Sequence, residues 1–148
     1  DKLGSWTEHE MEAIRHYSGI ARYEIEFEVP VEWSEEGVRM DLDLGSLWSM
    51  GRVTLNGRDS GIVWKPPFRL DVTGLLEPGT NRLEVEVANT WANRLIGDAG
   101  LPAGERRTRT NITRSGGKPW GEVALNESGL LGPVRLIPAT SRRVNLSE

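Results

Sequence analysis

Strict alternation of apolar and polar residues over nine positions is the feature that most constrains this sequence. From Ala21 to Val29 every second residue is apolar, and the residues between them are arginine or glutamate. Successive side chains of a β-strand point to opposite faces, so this pattern is typical of a strand with one buried face. The same pattern recurs at Val38–Leu44 and at Leu83–Val87. It predicts an antiparallel sheet that is apolar on one side and polar on the other.

Turn signals separate these strands at short intervals. Asn56-Gly57 lies between two short apolar runs, and both residue types accept the positive φ that a two-residue hairpin requires. Pro66-Pro67 supplies no backbone N–H, so the segment that follows is predicted to begin at a sheet edge. A turn at 77–81 and a last strand at 134–137 complete the pattern.

Helical signal is confined to the N-terminal region. The segment Thr7–Tyr17 begins with a candidate capping box, Thr7 with Glu10, ahead of Met11 and Ile14. Strands separated by turns, without an alternation of strands and helices, indicate an antiparallel sandwich. We therefore predict an all-β fold, an antiparallel β-sandwich of the jelly-roll type, with at most one short N-terminal helix.

Size and charge limit what the chain can do. Its 148 residues are enough for one domain, predicted to span 1–148, and it contains no cysteine. The net charge of −4 argues against nucleic acid as a partner, because nucleic-acid-binding domains concentrate lysine and arginine. No apolar run is long enough to cross a membrane, so no membrane partner is predicted. Since the first residue is Asp1, we expect a domain taken from a longer polypeptide.

An ordered set of motifs carries a family resemblance. The motifs are Tyr17-Ser-Gly19, Val53-Thr-Leu-Asn-Gly57, Gly61-Ile-Val-Trp-Lys-Pro-Pro-Phe68, Asp71-Val-Thr73, Asn81-Arg-Leu-Glu-Val85, Asn93-Arg-Leu-Ile-Gly-Asp98 and Ser128-Gly-Leu-Leu-Gly-Pro133. Together they resemble the galactose-binding-like β-sandwich domain of α-L-rhamnosidases in glycoside hydrolase family 106. That domain is related to the sugar-binding domain of glycoside hydrolase family 2. The resemblance runs from about Trp6 to Leu136.

The resemblance implies a sandwich that accompanies a separate catalytic barrel, which holds the catalytic acids. We therefore expect a chain that is not an enzyme by itself. Its expected partners are a carbohydrate ligand and the catalytic domain of a parent enzyme, which is secreted or periplasmic. The parent is expected to degrade polysaccharides.

Catalytic and metal-binding patterns are weak. The paired acids Asp41 and Asp43 are interpreted as a solvated strand face, as are the three glutamates of the first strand. No Gly-x-Ser-x-Gly nucleophile elbow occurs. Sandwiches of this class sometimes hold a structural calcium ion, but no Asp-rich loop has calcium spacing, and neither a metal nor a cofactor is predicted.

Six tryptophans against two phenylalanines and two tyrosines are an unusual balance, and a tryptophan can serve in a sugar site, in core packing or in an interdomain contact. An indole packs against the C–H-rich face of a sugar, while arginine, asparagine and aspartate bind its hydroxyl groups. The best candidate site combines Trp91, Asn93, Arg94 and Asp98. Other candidates are Trp64 with Lys65, and Trp120 in the long loop at 97–121. Arginines of that loop are either a clamp for uronates or an ordinary solvated run.

Two functions remain open at this point. One is a carbohydrate-binding module that concentrates a parent enzyme on its substrate. The other is a structural domain that packs on the catalytic barrel without sugar affinity of its own. Exposed tryptophan in a concave polar site favours the first, and a flat apolar patch favours the second.

Overall fold

The computed structural model describes residues 3–35 and 37–139, and these form mostly antiparallel β-structure. The remaining residues of the predicted 1–148 domain lie outside the described ones. The strands are β1 Ile20–Val29, β2 Arg39–Asp43, β3 Ser46–Trp48, β4 Met50–Leu55, β5 Arg58–Val63, β6 Arg69–Asp71, β7 Gly79–Ala88, β8 Arg114–Ser115, β9 Lys118–Pro119, β10 Gly129–Gly132 and β11 Arg135–Ala139. Two α-helices, α1 (Glu12–Arg15) and α2 (Ala92–Ala99), accompany them.

Two layers of strands enclose one core, which confirms the predicted all-β sandwich. One layer is a four-stranded antiparallel sheet in the order β1-β7-β4-β5. The other contains β11-β2-β6 together with the pair β10-β3, joined where Gly45 meets Gly132 in an isolated bridge. The core consists of aliphatic side chains from both layers, among them Met40, Leu42, Val53, Val85 and Leu130.

The predicted hairpin is confirmed and is tied to a second turn. Asn56 and Gly57 have φ angles of 51° and 74° between β4 and β5. The Asn56 amide donates to the side-chain oxygen of Asn81 at 2.8 Å, and Asn56 Oδ1 accepts the N–H of Arg82 at 2.8 Å. The hairpin and the turn before β7 are therefore held together by two asparagines.

The N-terminal region begins differently from the prediction. A 3₁₀ turn covers Trp6–Glu8, and Ser5 caps it by accepting the N–H of Thr7. Helix α1 starts later and has only four residues. The predicted capping box of Thr7 with Glu10 is wrong. In that motif Glu10 would accept the backbone N–H of Thr7, but Ser5 accepts it instead.

Helix α2 lies where the sequence predicts only the strand-to-loop junction after β7. The predicted loop at 97–121 accordingly begins inside this helix and contains the small hairpin β8–β9. The helix lies at the end of the four-stranded sheet, where β7 ends and β1 and β4 begin. It therefore determines which groups stand at that end of the sandwich.

Candidate functional site

Polar side chains fasten helix α2 to distant parts of the chain. Asn89, just after β7, accepts the N–H of Gly19 at 2.9 Å and donates to the carbonyl of Tyr17 at 2.8 Å. Ser18 accepts the N–H of Arg94 at 3.1 Å, which satisfies one of the free amides of the first helical turn. The start of the helix is thus fixed by the segment that leads into β1.

Asn93 belongs to this fastening and not to a ligand-accessible surface. Its side chain is 2% exposed, donates to the carbonyl of Asn126 at 2.7 Å, and accepts the N–H of Asn126 at 2.9 Å. A further bond reaches Ser128 Oγ at 3.0 Å. This corrects the expectation that Asn93 contacts a sugar, because its amide is already used inside the protein.

Arg94 and Asp98 form a buried pair one helical turn apart. Arg94 Nη2 lies 3.0 Å from Asp98 Oδ1, and the two side chains are 15% and 4% exposed. Asp98 Oδ1 is completely enclosed by the protein, and the guanidinium of Arg94 is its neighbouring charge. Arg94 therefore serves Asp98 and does not extend toward solvent, which corrects its expected role as a sugar ligand.

The other oxygen of Asp98 is fully bound. Thr108 donates to Asp98 Oδ2 from its hydroxyl at 2.6 Å and from its backbone N–H at 2.8 Å. Burial raises the pKa of Asp98, but the bonds from Thr108, the backbone N–H of Arg107 and the charge of Arg94 together outweigh it. The net pKa lies below the ordinary value, and Asp98 is an anion at neutral pH.

A cavity of about 430 Å³ lies between α2 and the long loop, and Asp98 lines it. This volume falls within the roughly 300–1,000 Å³ that small-molecule sites occupy. Three threonines line the cavity, together with one arginine and a second carboxylate besides Asp98. The polar lining consists of Asp98, Arg106, Thr108, Thr110, Thr113 and Glu122.

Trp120 lines the same cavity from the opposite side. Its indole N–H donates to the carbonyl of Ile112 at 2.9 Å, which fixes the orientation of the ring. The side chain is partly buried. Of the predicted site residues, Trp120 and Asp98 are the two that the structure brings into one concave, polar-lined space.

Trp64, Lys65 and Trp91 lie on another surface. Trp64 is 68% exposed and Trp91 is 70% exposed. Lys65 Nζ lies 5.6 Å from the centre of the Trp64 ring, within the range of a cation–π contact. Trp91 stands at the start of α2 and does not line the cavity that contains Asp98. The predicted cluster at Trp91 is therefore divided between two surfaces.

Exposed apolar residues continue from Trp64 across the outer side of the four-stranded sheet. Met50 and Ile20 both pair with Ala88, and Ile62 pairs with Arg52. Their inward neighbours are core residues, so these side chains point outward. We call this surface the aromatic face: Ile20, Met50, Ile62 and Trp64, all exposed.

A larger cavity lacks the polar groups of a sugar site. About 790 Å³ lies open between β1 and the strands β10 and β11, next to Tyr23, Ile25, Leu83 and Val134. Its lining is dominated by aliphatic and aromatic side chains. Sugar recognition needs directed hydrogen bonds as well as apolar contact, so the smaller cavity is the better candidate.

Two of the acids that were considered as catalytic groups form ion pairs with arginines of neighbouring strands. Asp43 pairs with Arg69 at 2.8 Å, and Glu24 pairs with Arg82 at 3.0 Å. Among the described residues, no three acidic or histidine side chains gather closely enough to hold a metal ion.

No helix in the described part of the chain is long and apolar enough to cross a membrane.

Sequence reasoning missed Thr108 and Glu122 at the cavity. Thr108 lies in a run of alternating arginine and threonine, Arg107-Thr-Arg-Thr110, which gives no sign of which hydroxyl turns inward. The position of the loop is set by its contact with Asp98, a contact between residues ten positions apart that no local pattern encodes.

Comparison with known proteins identifies the class of protein that contains such a domain. No protein-family model matches the chain. It is 39% identical over 155 residues to a Formosa agariphila protein provisionally named a beta-glucuronidase. The alignment covers 92% of this chain and 13% of that protein. The chain is therefore similar to a minor segment of a much larger protein.

Solved structures agree with this relation. A rhamnosidase from Novosphingobium sp. PP1Y matches with a TM-score of 0.80 and 37% identity, over 93% of this chain and 12% of that chain. A beta-glucuronidase from an uncultured Clostridium sp. matches with a TM-score of 0.52 and 31% identity, over 58% of this chain and 15% of that chain. These relatives are glycoside hydrolases, and the chain corresponds to an accessory-sized segment of them.

Proposed function

We propose that this chain is a non-catalytic carbohydrate-binding domain of a polysaccharide-degrading glycoside hydrolase, of the α-L-rhamnosidase type in family 106. Its sugar site is the cavity between α2 and the long loop. One observation carries the proposal: a fixed indole ring and six polar side chains line one cavity of about 430 Å³. In the parent enzyme the domain acts outside the cytoplasm.

The lining favours a neutral sugar. Glu122, Thr110 and Thr113 line the cavity and can bond sugar hydroxyl groups, and a bond to a charged acceptor contributes about 1.5–3 kcal/mol. Trp120 offers its ring to the C–H face of a pyranose, and a deoxy-sugar such as rhamnose adds a methyl group to that contact. Glu122 balances the charge of Arg106, and Arg94 balances that of Asp98, so the lining offers the carboxylate of a uronate no excess of positive charge.

Binding is tested by calorimetric titration of the chain with rhamnose-containing and uronate-containing polysaccharides. Trp120→Ala and Glu122→Gln are each expected to weaken binding of the rhamnose-containing glycan at least tenfold, because each changes a side chain that lines the cavity. Trp64→Ala, which changes the aromatic face, is the matched control and should leave the affinity unchanged. Circular dichroism checks that each variant is folded.

Two results would contradict the proposal. If Trp64→Ala abolishes binding and Trp120→Ala does not, the sugar site lies at the aromatic face. If the chain hydrolyses aryl-rhamnosides, and mutation of Asp98 or Glu122 stops the reaction, the domain is catalytic.

The alternative function is that of a structural accessory domain, which packs on the catalytic barrel and has no sugar affinity of its own. The aromatic face favours it, because exposed apolar side chains on and next to paired strands form a flat surface and not a cleft. Absence of glycan binding by the wild-type chain would leave this function as the better explanation.

A further inference from the structure

The part of the long loop that follows α2 is basic, although the chain as a whole is acidic. Residues 101–121 contain four arginines and one lysine against a single glutamate, a net charge of +4. Since the whole chain carries −4, the rest of it carries −8. A local excess of one sign of charge attracts ligands of the opposite sign. The loop is therefore a candidate surface for an anion.

The five loop cations lack the internal partners that arginines of the strands have. Five strand arginines form ion pairs with acids of a neighbouring strand: Arg22, Arg39, Arg52, Arg69 and Arg82. Within residues 3–35 and 37–139, no carboxylate lies close enough to any of the loop cations to form an ion pair. Their charge is therefore not neutralised by the domain itself.

Four of these cations stand beside the cavity between α2 and the long loop. Each is next in sequence to a residue that lines that cavity. Consecutive Cα atoms are about 3.8 Å apart, so all four side chains begin at the cavity wall. Each of these side chains is exposed. We call this group the basic rim: Arg107, Arg109, Arg114 and Lys118.

The protein holds parts of the basic rim in place. Thr108, between Arg107 and Arg109, donates to Asp98 Oδ2 from both its hydroxyl and its backbone N–H. Arg114 Nη1 donates to the carbonyl of Gly117 at 3.0 Å, which uses one of the five N–H donors of the guanidinium. Groups that are already positioned lose less conformational entropy when a ligand binds. The rim is therefore partly preorganised.

The charges inside the cavity differ from those of the rim. Arg106 and Glu122 line the cavity with opposite charges, and Asp98 is paired with Arg94. A neutral sugar therefore fits the cavity, whereas an anionic group is stabilised beside it. Guanidinium groups bind the oxygens of carboxylates and similar oxyanions through paired hydrogen bonds. A glycan that carries negative charge next to a neutral sugar matches both environments.

We propose that the basic rim binds the anionic groups of an acidic polysaccharide, uronate carboxylates or sulfate esters, while a neutral sugar of the same chain occupies the cavity. The inference rests on the proposed function and names the class of glycan that the site takes. It gives the arginines of the long loop a task that the cavity lining does not perform.

The test uses pairs of glycans that differ only in charge. One pair is rhamnan sulfate and the same glycan after chemical desulfation, and the other is rhamnogalacturonan before and after reduction of its carboxyl groups. Calorimetric titration of the chain measures each affinity. The charged member of at least one pair is expected to bind at least tenfold more tightly than its neutral member. The pair that shows the difference identifies the anionic group as sulfate or carboxylate.

A matched pair of variants locates the effect on the rim. Arg107→Gln combined with Arg109→Gln is expected to weaken binding of the charged glycan at least tenfold and to leave binding of its neutral form unchanged. Arg58→Gln combined with Arg135→Gln removes the same charge at two exposed strand positions. This control should bind the charged glycan as wild type does. Circular dichroism checks that both variants are folded.

The outcomes separate this inference from the proposed function. Equal affinity for the charged and neutral members of both pairs overturns the basic rim and leaves the cavity as a neutral sugar site. Equal losses in the rim variant and in its control also overturn it, because net charge then explains the effect. Single-stranded DNA that binds as tightly as the charged glycan assigns the rim to nucleic acid. Failure to bind any glycan contradicts the proposed function as well.

Discussion

At the scale of single residues, Asp98 combines burial with a negative charge. Burial of an anion is unfavourable unless partners compensate, and here Arg94 and Thr108 supply the compensation. Oδ1 is completely enclosed, so Asp98 is expected to act on stability and on the position of the long loop.

Removal of Arg94 leaves Asp98 buried without its cation. Arg94→Met keeps the length of the side chain and is expected to lower the free energy of unfolding by about 2–3 kcal/mol, somewhat below the 3–5 kcal/mol that is usual for a broken buried pair. The hydrogen bonds from Thr108 limit the loss. Arg52→Met breaks an exposed pair with Asp59 and should lower the free energy of unfolding much less. Urea unfolding measures both, and equal effects would contradict a buried role for Arg94.

The lowered pKa of Asp98 gives a defined pH dependence. Its contribution to stability is fully present above the unfolded-state pKa of about 3.9 and is lost as the pH falls through the lower pKa of the folded state. Wild type is therefore expected to lose more stability than Asp98→Asn between pH 5 and pH 2. Asp43, Asp59 and Asp71 also have lowered pKa values but are common to both proteins. Parallel stability curves would contradict the assignment.

At the scale of secondary-structure elements, two glycines with similar backbone conformations test how the layers are joined. Gly45 and Gly57 have φ angles of 67° and 74°. A Cβ on Gly57 meets nothing within 4 Å, whereas one on Gly45 meets the backbone of Gly132. Gly57→Ala is expected to cost about 1–2 kcal/mol through its backbone conformation alone. Gly45→Ala should cost clearly more, because the β3–β10 pair must move, and thermal unfolding measures the difference.

The strands could be predicted from sequence, but helix α2 could not. Alternation identifies β1, β2 and β7 because their inward residues are apolar and their outward residues are charged. Helix α2 has eight residues, with asparagine and glycine among them, and such residues have low helix propensity. Its formation depends on Ser18 at its start and on Gly97, where a Cβ would meet His16 at 2.7 Å. Those contacts come from a distant part of the sequence.

The candidate site could be predicted only in part for the same reason. Residue types correctly indicated tryptophan, arginine and aspartate near the end of β7, but Asn93 and Asp98 point to different environments on one helix. Asn93 faces Ser128, and Asp98 faces the long loop.

Ile25 shows that alternation predicts the side of a strand better than it predicts burial. Alternation places it on the apolar side of β1, yet it is 58% exposed because that side of the sheet edge is open.

At the scale of the whole molecule, the cavity and the aromatic face are separate surfaces. Asp98 and Trp120 line the cavity beside the long loop, and Trp64 lies next to the outer side of the four-stranded sheet. A partner that covers the aromatic face therefore leaves the cavity accessible to a glycan.

The ties between Ser5 and Ser128 bear on how the chain is made. Ser128 donates its backbone N–H to Ser5 Oγ at 3.1 Å, and Trp6 donates to the carbonyl of Ser128 at 2.9 Å. Tyr23 completes the link by accepting the N–H of Leu130. A growing polypeptide emerges from the ribosome N-terminus first. Almost the whole domain must therefore be synthesised before Ser128 and Leu130 can bind the segment around β1. During that interval its apolar residues are exposed, and chaperone binding to the nascent chain should be strongest there.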